Sequence, residues 1–167
     1  MKFDKSMIYQ PIDNLTILKK VPSCRFLPYE EMSKITSIDQ LLPKTLILYQ
    51  LDKIGHFCGL MSLNNGNIQF FDPFGLYPDD QLDLVNPKYH HYMKSPMKYL
   101  LSLMEKSQRP VVYNEYRLQS RTTSVCGAWV ALRLTYPNLT SDEFAQPFLP
   151  YKKVMRDMIV SELFWDL

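Results

Sequence analysis

Short apolar segments occupy the middle of the chain, and their composition and alternation predict β-strands. Residues 45–51 and residues 110–116 each have the apolar run of a buried strand. Between them, residues 56–63 and 67–72 are two apolar segments that flank the turn sequence Asn64-Asn65-Gly66-Asn67. This arrangement is typical of a β-hairpin. The sequence therefore predicts that residues 56–63 and 67–72 are neighbouring strands.

Apolar residues with helical spacing lie mostly after these strands. The predicted helices are residues 79–85, 95–107, 126–136, 141–146 and 151–164. Pro137 ends the third of them, and Ser141 is the predicted cap of the fourth. Strands in the middle with helices before and after them predict an α+β domain. The helices within residues 137–167 are expected to complete its core.

Prolines dominate the N-terminal part of the chain. Residues 1–33 are predicted to be irregular, because Pro11, Pro22 and Pro28 discourage long elements. A short helix is then predicted to end at residue 42, before Pro43, with Thr36 or Ser37 as its cap.

Length and composition fit one folded domain over residues 1–167, with 46% apolar and 22% charged residues. The net charge of +2 is too small to indicate a protein that binds nucleic acid. Cys24, Cys58 and Cys126 are an odd number of cysteines without zinc-site spacing, so we expect no disulfide framework, no metal and no cofactor. No apolar run is long enough for a membrane span, and the start lacks a signal-peptide core. We expect an intracellular, soluble monomer.

Cys126 stands between a polar loop and the apolar run that opens the helix predicted over residues 126–136. The positive end of a helix dipole lowers the pKa of a thiol placed there, and Gly127 would let a substrate backbone approach closely. A free cysteine is more often a small buried hydrophobe, which is the interpretation we give to Cys24 and Cys58. For Cys126, the position favours a nucleophile.

His56 begins one predicted strand of the hairpin and Asp72 ends the other. The hairpin can place the carboxylate beside the imidazole, which orients one ring nitrogen and leaves the other for a thiol. The alternatives are a structural histidine and an ordinary Asp-Pro turn. His90 and His91 fit the structural alternative, because they lie in a predicted polar loop.

Gln119 lies in the loop before Cys126, and its amide can donate to an oxyanion together with the backbone N–H of Cys126. A loop glutamine is usually just solvated, so its distance of seven residues from Cys126 carries the hypothesis. A cysteine, an imidazole, a carboxylate and an amide together suggest a thiol hydrolase.

These residues resemble a known family. The run Gln69-Phe70-Phe71-Asp72-Pro73-Phe74-Gly75, the preceding His56 and the Gln119…Cys126-Gly127 pair are similar to the pattern of adenovirus-type maturation proteases (adenains). They also resemble related proteases of virophages and Maverick/Polinton elements. The four elements stand in the family's order and nearly its spacing, over about residues 45–135.

The resemblance implies a papain-like, adenain-like cysteine protease fold, with a central mixed sheet flanked by helices. It also implies an endopeptidase that cuts viral capsid and core precursor proteins near small residues or Gly-Gly-like sites during virion maturation. Such an enzyme acts at the assembly site in the host cell and is packaged in the virion. By the same resemblance, His56 is the general base, Asp72 orients it, Gln119 supplies the oxyanion hole and Cys126 is the nucleophile.

The chain departs from the adenovirus pattern in three places. Phe57 stands where a tryptophan usually follows the histidine, so any stacking role passes to a smaller ring. Residues 108–118 contain no cysteine for a disulfide-linked activating peptide, and DNA finds no concentrated basic track. We therefore expect activity without either activator.

Two other classes of function stay open. An isopeptidase that removes a ubiquitin-like modifier shares the His-Asp-Gln-Cys order, although Val125 stands where that branch typically has an aspartate. The other is a catalytically silent, capsid-associated module.

Overall fold

The structure is a computed structural model and describes residues 4–51, 54–85 and 98–167. Five strands form one mixed sheet in the order β1-β2-β3-β4-β5. They are β1 (Arg25–Pro28), β2 (Lys44–Leu51), β3 (Ile54–Ser62), β4 (Ile68–Phe71) and β5 (Val111–Tyr113). The inner pairs β2/β3 and β3/β4 are antiparallel, while β1/β2 and β4/β5 are parallel. The predicted α+β class, the central mixed sheet and the hairpin are confirmed.

Six α-helices and three 3-10 helices surround the sheet in the described residues. The α-helices are α1 (Asn14–Lys20), α2 (Gln81–Val85), α3 (Tyr99–Glu105), α4 (Cys126–Thr135), α5 (Ser141–Ala145) and α6 (Lys153–Asp166). The 3-10 helices are Lys5–Tyr9, Tyr29–Lys34 and Ile38–Leu41. Ser37 caps the last of these, as one of the two predicted alternatives. Among the described helices, none combines the length and hydropathy needed to cross a bilayer.

The prediction that residues 1–33 are irregular is wrong for the described part of that range. The carboxylate of Asp13 accepts the N–H of Thr16 at 2.7 Å and caps α1. Pro22 lies between α1 and β1, and Pro28 ends β1 at the edge of the sheet, where a strand tolerates proline. The prolines therefore separate short elements instead of preventing them.

Several predicted boundaries shift for identifiable reasons. α2 begins at residue 81, because Asp79 has a left-handed φ of 73° and its carboxylate accepts hydrogen bonds from Tyr49 and Leu101, at 2.9 Å each. α5 is capped by Thr140 in a capping box, one residue before the predicted cap. The predicted start of the helix over residues 95–107 lies outside the described residues.

α4 lies across β3 and joins the sheet to the C-terminal helices. Gly59 of β3 permits this contact, because a Cβ there would lie 2.9 Å from a methyl carbon of Val130 on α4. The core cluster around α4 includes Trp129, and Phe144, Phe148 and Phe164 join it from the C-terminal part of the chain. Residues 137–167 thus pack against the helix that begins at Cys126, as expected.

Candidate active site

The hairpin brings His56 and Asp72 into direct contact. Residue 59 of β3 faces residue 71 of β4, so Asp72 follows directly on the paired part of β4. His56 Nε2 lies 2.6 Å from Asp72 Oδ1, and both side chains are buried. The distance is that of a charge-assisted hydrogen bond in a water-poor environment.

Further groups hold Asp72 in place. Its Oδ1 accepts the N–H of Phe74 and its Oδ2 accepts the side-chain amide of Gln81, at 2.8 Å in each case. Asn114 binds the backbone of Asp72 on both sides, as acceptor at 3.0 Å and as donor at 2.5 Å. The carboxylate therefore has little freedom to turn away from His56. Sequence reasoning missed Gln81 and Asn114, because an amide in an ordinary polar segment carries no local signal of such a contact.

An aromatic ring fixes the plane of the imidazole. The ring of Phe74 stacks on His56 with centroids 4.8 Å apart and planes 3° apart. The guanidinium of Arg117 lies over the same Phe74 ring, 4.9 Å from its centroid. The stacking partner of His56 is thus Phe74, from the Asp-Pro-Phe-Gly run, and Phe57 instead borders Gly127.

Cys126 is the first residue of α4 and lines the same groove as His56, whose imidazole is close enough to the sulfur to change the pKa of the thiol. Burial alone would raise the pKa of this thiol. The hydrogen bond and the charge of His56 outweigh burial, and the backbone N–H groups of Phe57 and Gly127 add to their effect, so the pKa is lowered. The side chain of Val125, at the cap position, makes no hydrogen bond to the helix start.

The pKa of His56 shifts in the opposite direction. Burial disfavours the charged ring, yet its contacts with Cys58, Asp72 and Cys126 raise the pKa well above 6.5. Burial also raises the pKa of Cys58, so that thiol stays neutral. The charge that stabilises the imidazolium therefore comes from Asp72 and Cys126. The arrangement favours a thiolate–imidazolium pair.

Gln119 lies in the same groove as His56 and Cys126 and is itself buried. Its amide nitrogen donates to the carbonyl of Thr123 at 3.2 Å, while its amide oxygen has no hydrogen-bond partner in the part of the chain that the structure describes. The loop that carries it is anchored on both sides. The N–H of Gln119 donates to Pro73 at 3.0 Å and that of Ser124 donates to Ile8 at 2.8 Å.

The groove runs between α1, β3 and the start of α4, with a volume of about 690 Å³. That volume is within the usual range for ligand sites, roughly 300–1,000 Å³. Its rim includes the exposed backbone at Gly55 and the helix start at Gly127. A Cβ at Gly127 would lie 2.6 Å from the terminal methyl carbon of Ile17, so a larger residue here would force that side chain of α1 to shift.

All four predicted site residues are thus brought to one groove or its wall. Cys58 is buried, as predicted, but it also lies beside the imidazole, which the sequence did not indicate. His56, Cys58 and Asp72 offer three possible metal-binding atoms within 4.8 Å of one another. Two of these side chains are joined by the short hydrogen bond, and the third is a protonated thiol, so we assign no metal to them. His90 and His91 lie outside the described residues.

No protein-family model matches the chain. It is 29% identical over 160 residues to "Uncharacterized protein V9" of Sputnik virophage, which covers 90% of this chain and 91% of that protein. The relative is itself uncharacterized and brings no activity with it.

Two solved structures are similar in part. One is the C-terminal Ulp1 protease domain in complex with Smt3, the yeast ortholog of SUMO, with a TM-score of 0.37 and 15% identity over 90% of this chain and 72% of that chain. The other is a de-sumoylating protease, with a TM-score of 0.33 and 13% identity over 91% of this chain and 66% of that chain. Likeness at this level does not assign a function.

Proposed function

We propose that this protein is a cysteine endopeptidase that cuts viral capsid and core precursor proteins during virion maturation. One observation carries the proposal: a single buried imidazole contacts a clamped carboxylate and a thiol that begins a helix. The opposite pKa shifts of His56 and Cys126 are those expected of a nucleophilic thiolate and its acid partner.

In the proposed cycle, the Cys126 thiolate attacks the carbonyl carbon of the scissile peptide bond. The resulting oxyanion accepts hydrogen bonds from the backbone N–H of Cys126 and from the amide of Gln119, after that amide has turned from Thr123 toward the groove. The imidazolium of His56 donates its proton to the leaving amine while Asp72 keeps the ring oriented. Water then hydrolyses the thioester, with His56 as the base, and the thiolate is restored.

The groove and the virophage relative support the choice of substrate. A groove bordered by backbone at Gly55 and Gly127 favours an extended peptide with small residues near the cut, such as a Gly-Gly-like site. The identity to a virophage protein favours a viral role, at the assembly site of the host cell and in the virion. The net charge of +2 gives no support for DNA as an activator.

The test is co-expression of the wild-type chain or its Cys126→Ala variant with the major capsid precursor, followed by N-terminal sequencing of the fragments. We expect discrete new N-termini after small residues with the wild-type chain and none with the variant. Equal fragments from both would contradict the proposal.

The same preparations separate the two other classes of function. An isopeptidase would form a rapid adduct with a ubiquitin-like probe at Cys126 and would leave capsid precursors intact. A silent module would neither cut precursor nor react with a peptide-based thiol probe. We expect the peptide-based probe to label Cys126 and the ubiquitin-like probe to react slowly or not at all.

A further inference from the structure

We propose that Asp157, on the C-terminal helix α6, is a positioning residue that holds the two oxyanion donors at a fixed separation. The inference rests on the proposed function and gives a role to a part of the chain outside the adenain-like motifs. Asp157 lies 31 residues after Cys126.

Asp157 is completely buried and accepts three hydrogen bonds. Its Oδ2 accepts the backbone N–H of Ser120 at 3.0 Å and the hydroxyl of Thr123 at 2.7 Å. Its Oδ1 accepts the indole N–H of Trp129 at 2.8 Å. Burying a carboxylate is unfavourable unless its oxygens are hydrogen-bonded, so these donors define one position for the side chain.

The three donors belong to the two segments that supply the oxyanion hole. Ser120 directly follows Gln119, and Thr123 receives the Gln119 amide on its carbonyl oxygen. Trp129 lies on α4, three residues after Cys126, on the helix whose first residue supplies the other donor. One carboxylate therefore links the loop of Gln119 to the helix of Cys126.

This position predicts a catalytic defect separate from any loss of stability. In Asp157→Asn, one oxygen becomes an NH2 group that faces N–H or O–H donors, so the loop and the helix can shift relative to each other. Displacements near 1 Å in catalytic positioning cost on the order of 100-fold in rate. We expect kcat to fall about 10- to 100-fold with KM nearly unchanged, because the donors act on the transition state.

The decisive measurement is a double-mutant cycle with Gln119→Ala, which by itself should lower kcat about 100- to 1,000-fold. If Asp157 acts through Gln119, the double variant will be hardly slower than Gln119→Ala alone. A role that is independent of Gln119 would instead lower kcat by the same factor in both backgrounds, which would overturn the inference.

The matched control is Val160→Ala on the same helix, at a fully buried position without polar contacts. It should lower the melting temperature as much as Asp157→Asn or more, yet leave kcat per folded molecule unchanged. If Asp157→Asn does not fold, Thr123→Val keeps the carboxylate and its contact with Trp129 while removing one of its two contacts with the loop, since the N–H of Ser120 still donates to it. Its kcat should then fall with KM unchanged, and an unchanged kcat would contradict the inference.

Failure of this inference differs from failure of the proposed function. A wild-type chain that cuts no precursor would overturn the proposed function and the inference with it. A wild-type chain that cuts normally, with Asp157→Asn as fast as the Val160→Ala control, would overturn the inference alone.

Discussion

At its N-terminal end α4 begins without a side-chain cap, whereas at its C-terminal end a side chain binds the carbonyl groups that follow the helix. The residue before the helix is Val125, whose side chain cannot accept a hydrogen bond. The N–H of Gly127, in the first turn, instead faces the sulfur of Cys126. At the other end, buried Arg133 donates to the carbonyl oxygens of Tyr136 and Leu139, at 2.9 and 2.8 Å.

The difference shows how one helix serves both chemistry and stability. The first N–H groups of a helix have no partner within the helix, and together they carry a partial positive charge. A serine or aspartate cap at position 125 would compete for these groups with a thiolate or an oxyanion. Arg133 stabilises the C-terminal end of the helix. Its positive charge lies at the negative end of the helix dipole, and its hydrogen bonds join the helix to the loop that follows. Variants at the two ends should therefore fail in different ways.

The largest effect is expected for Cys126→Ala, at the N-terminal end of α4. Activity against precursor or peptide should fall by about 10⁵- to 10⁶-fold, the usual result of removing a nucleophile. The free energy of unfolding should change by less than about 1 kcal/mol, because alanine is a good residue for a helix start and the side chain is only half buried. Steady-state cleavage and urea denaturation measure the two quantities.

The control for this variant is Cys24→Ala, a second half-buried cysteine whose pKa burial raises to about 11. It should keep full activity. Loss of activity in Cys24→Ala, or unfolding of Cys126→Ala, would contradict the separation of chemistry from stability at the helix start.

A smaller loss, of about 10⁴-fold in kcat/KM, is expected for Asp72→Asn, which leaves the nucleophile in place and removes the charge behind the imidazole. In the wild type, the thiolate forms above the lowered pKa of Cys126, and the imidazolium persists up to the raised pKa of His56. The reactive pair thus exists between these two pKa values. Without the carboxylate, the pKa of His56 falls, so the alkaline limb of the pH–rate profile should move to lower pH.

The pH profile of kcat/KM measures this shift, and Asp80→Asn is its matched control. Asp80 lies in the same loop, and its carboxylate is 3.8 Å from the ammonium group of Lys98. Asp80→Asn should have the kcat/KM of the wild type, and the alkaline limb of its pH profile should not move. An unchanged alkaline limb in Asp72→Asn would mean that the carboxylate does not stabilise the imidazolium.

The parts of the site that the sequence predicted are those set by local pattern. The strand alternation and the Asn-Gly turn predicted that His56 and Asp72 lie close together on neighbouring strands, and the apolar run after Cys126 predicted that it begins a helix. α1 was not predicted, although the sequence contains a local signal for a helix start: Asp13 is a good N-cap and precedes the buried Ile17. Pro11 and Pro22, which lie on either side of α1, do not prevent this helix.

The supporting contacts could not be predicted, because they join residues far apart in sequence. Gln81 and Asn114 bind Asp72 from 9 and 42 residues away in the sequence. Asp157 binds Ser120 from 37 residues away. Each is a polar residue in an unremarkable segment, and only the packing of α2, β5 and α6 brings it to the site. The His-Asp-Cys arrangement is therefore visible in local patterns, while the groups that hold it depend on the tertiary fold.

The smallest effect on catalysis, and a clear effect on stability, is expected for Arg133→Met at the C-terminal end of α4. Methionine can fill much of the space but leaves the carbonyl groups of Tyr136 and Leu139 without the guanidinium donor. Charge-assisted hydrogen bonds of this kind contribute roughly 1.5–3 kcal/mol each to the free energy of unfolding. We expect urea denaturation to show a loss of about 2–4 kcal/mol in the free energy of unfolding, with kcat per folded molecule unchanged. The matched control is Arg156→Met, because Arg156 also donates to two backbone carbonyls, of Tyr151 and Leu149, but at a solvent-exposed site where water can replace it. Its loss should stay below about 1 kcal/mol. A fall in kcat for Arg133→Met at full folding would show that the carbonyl end of the helix is coupled to the reactive end.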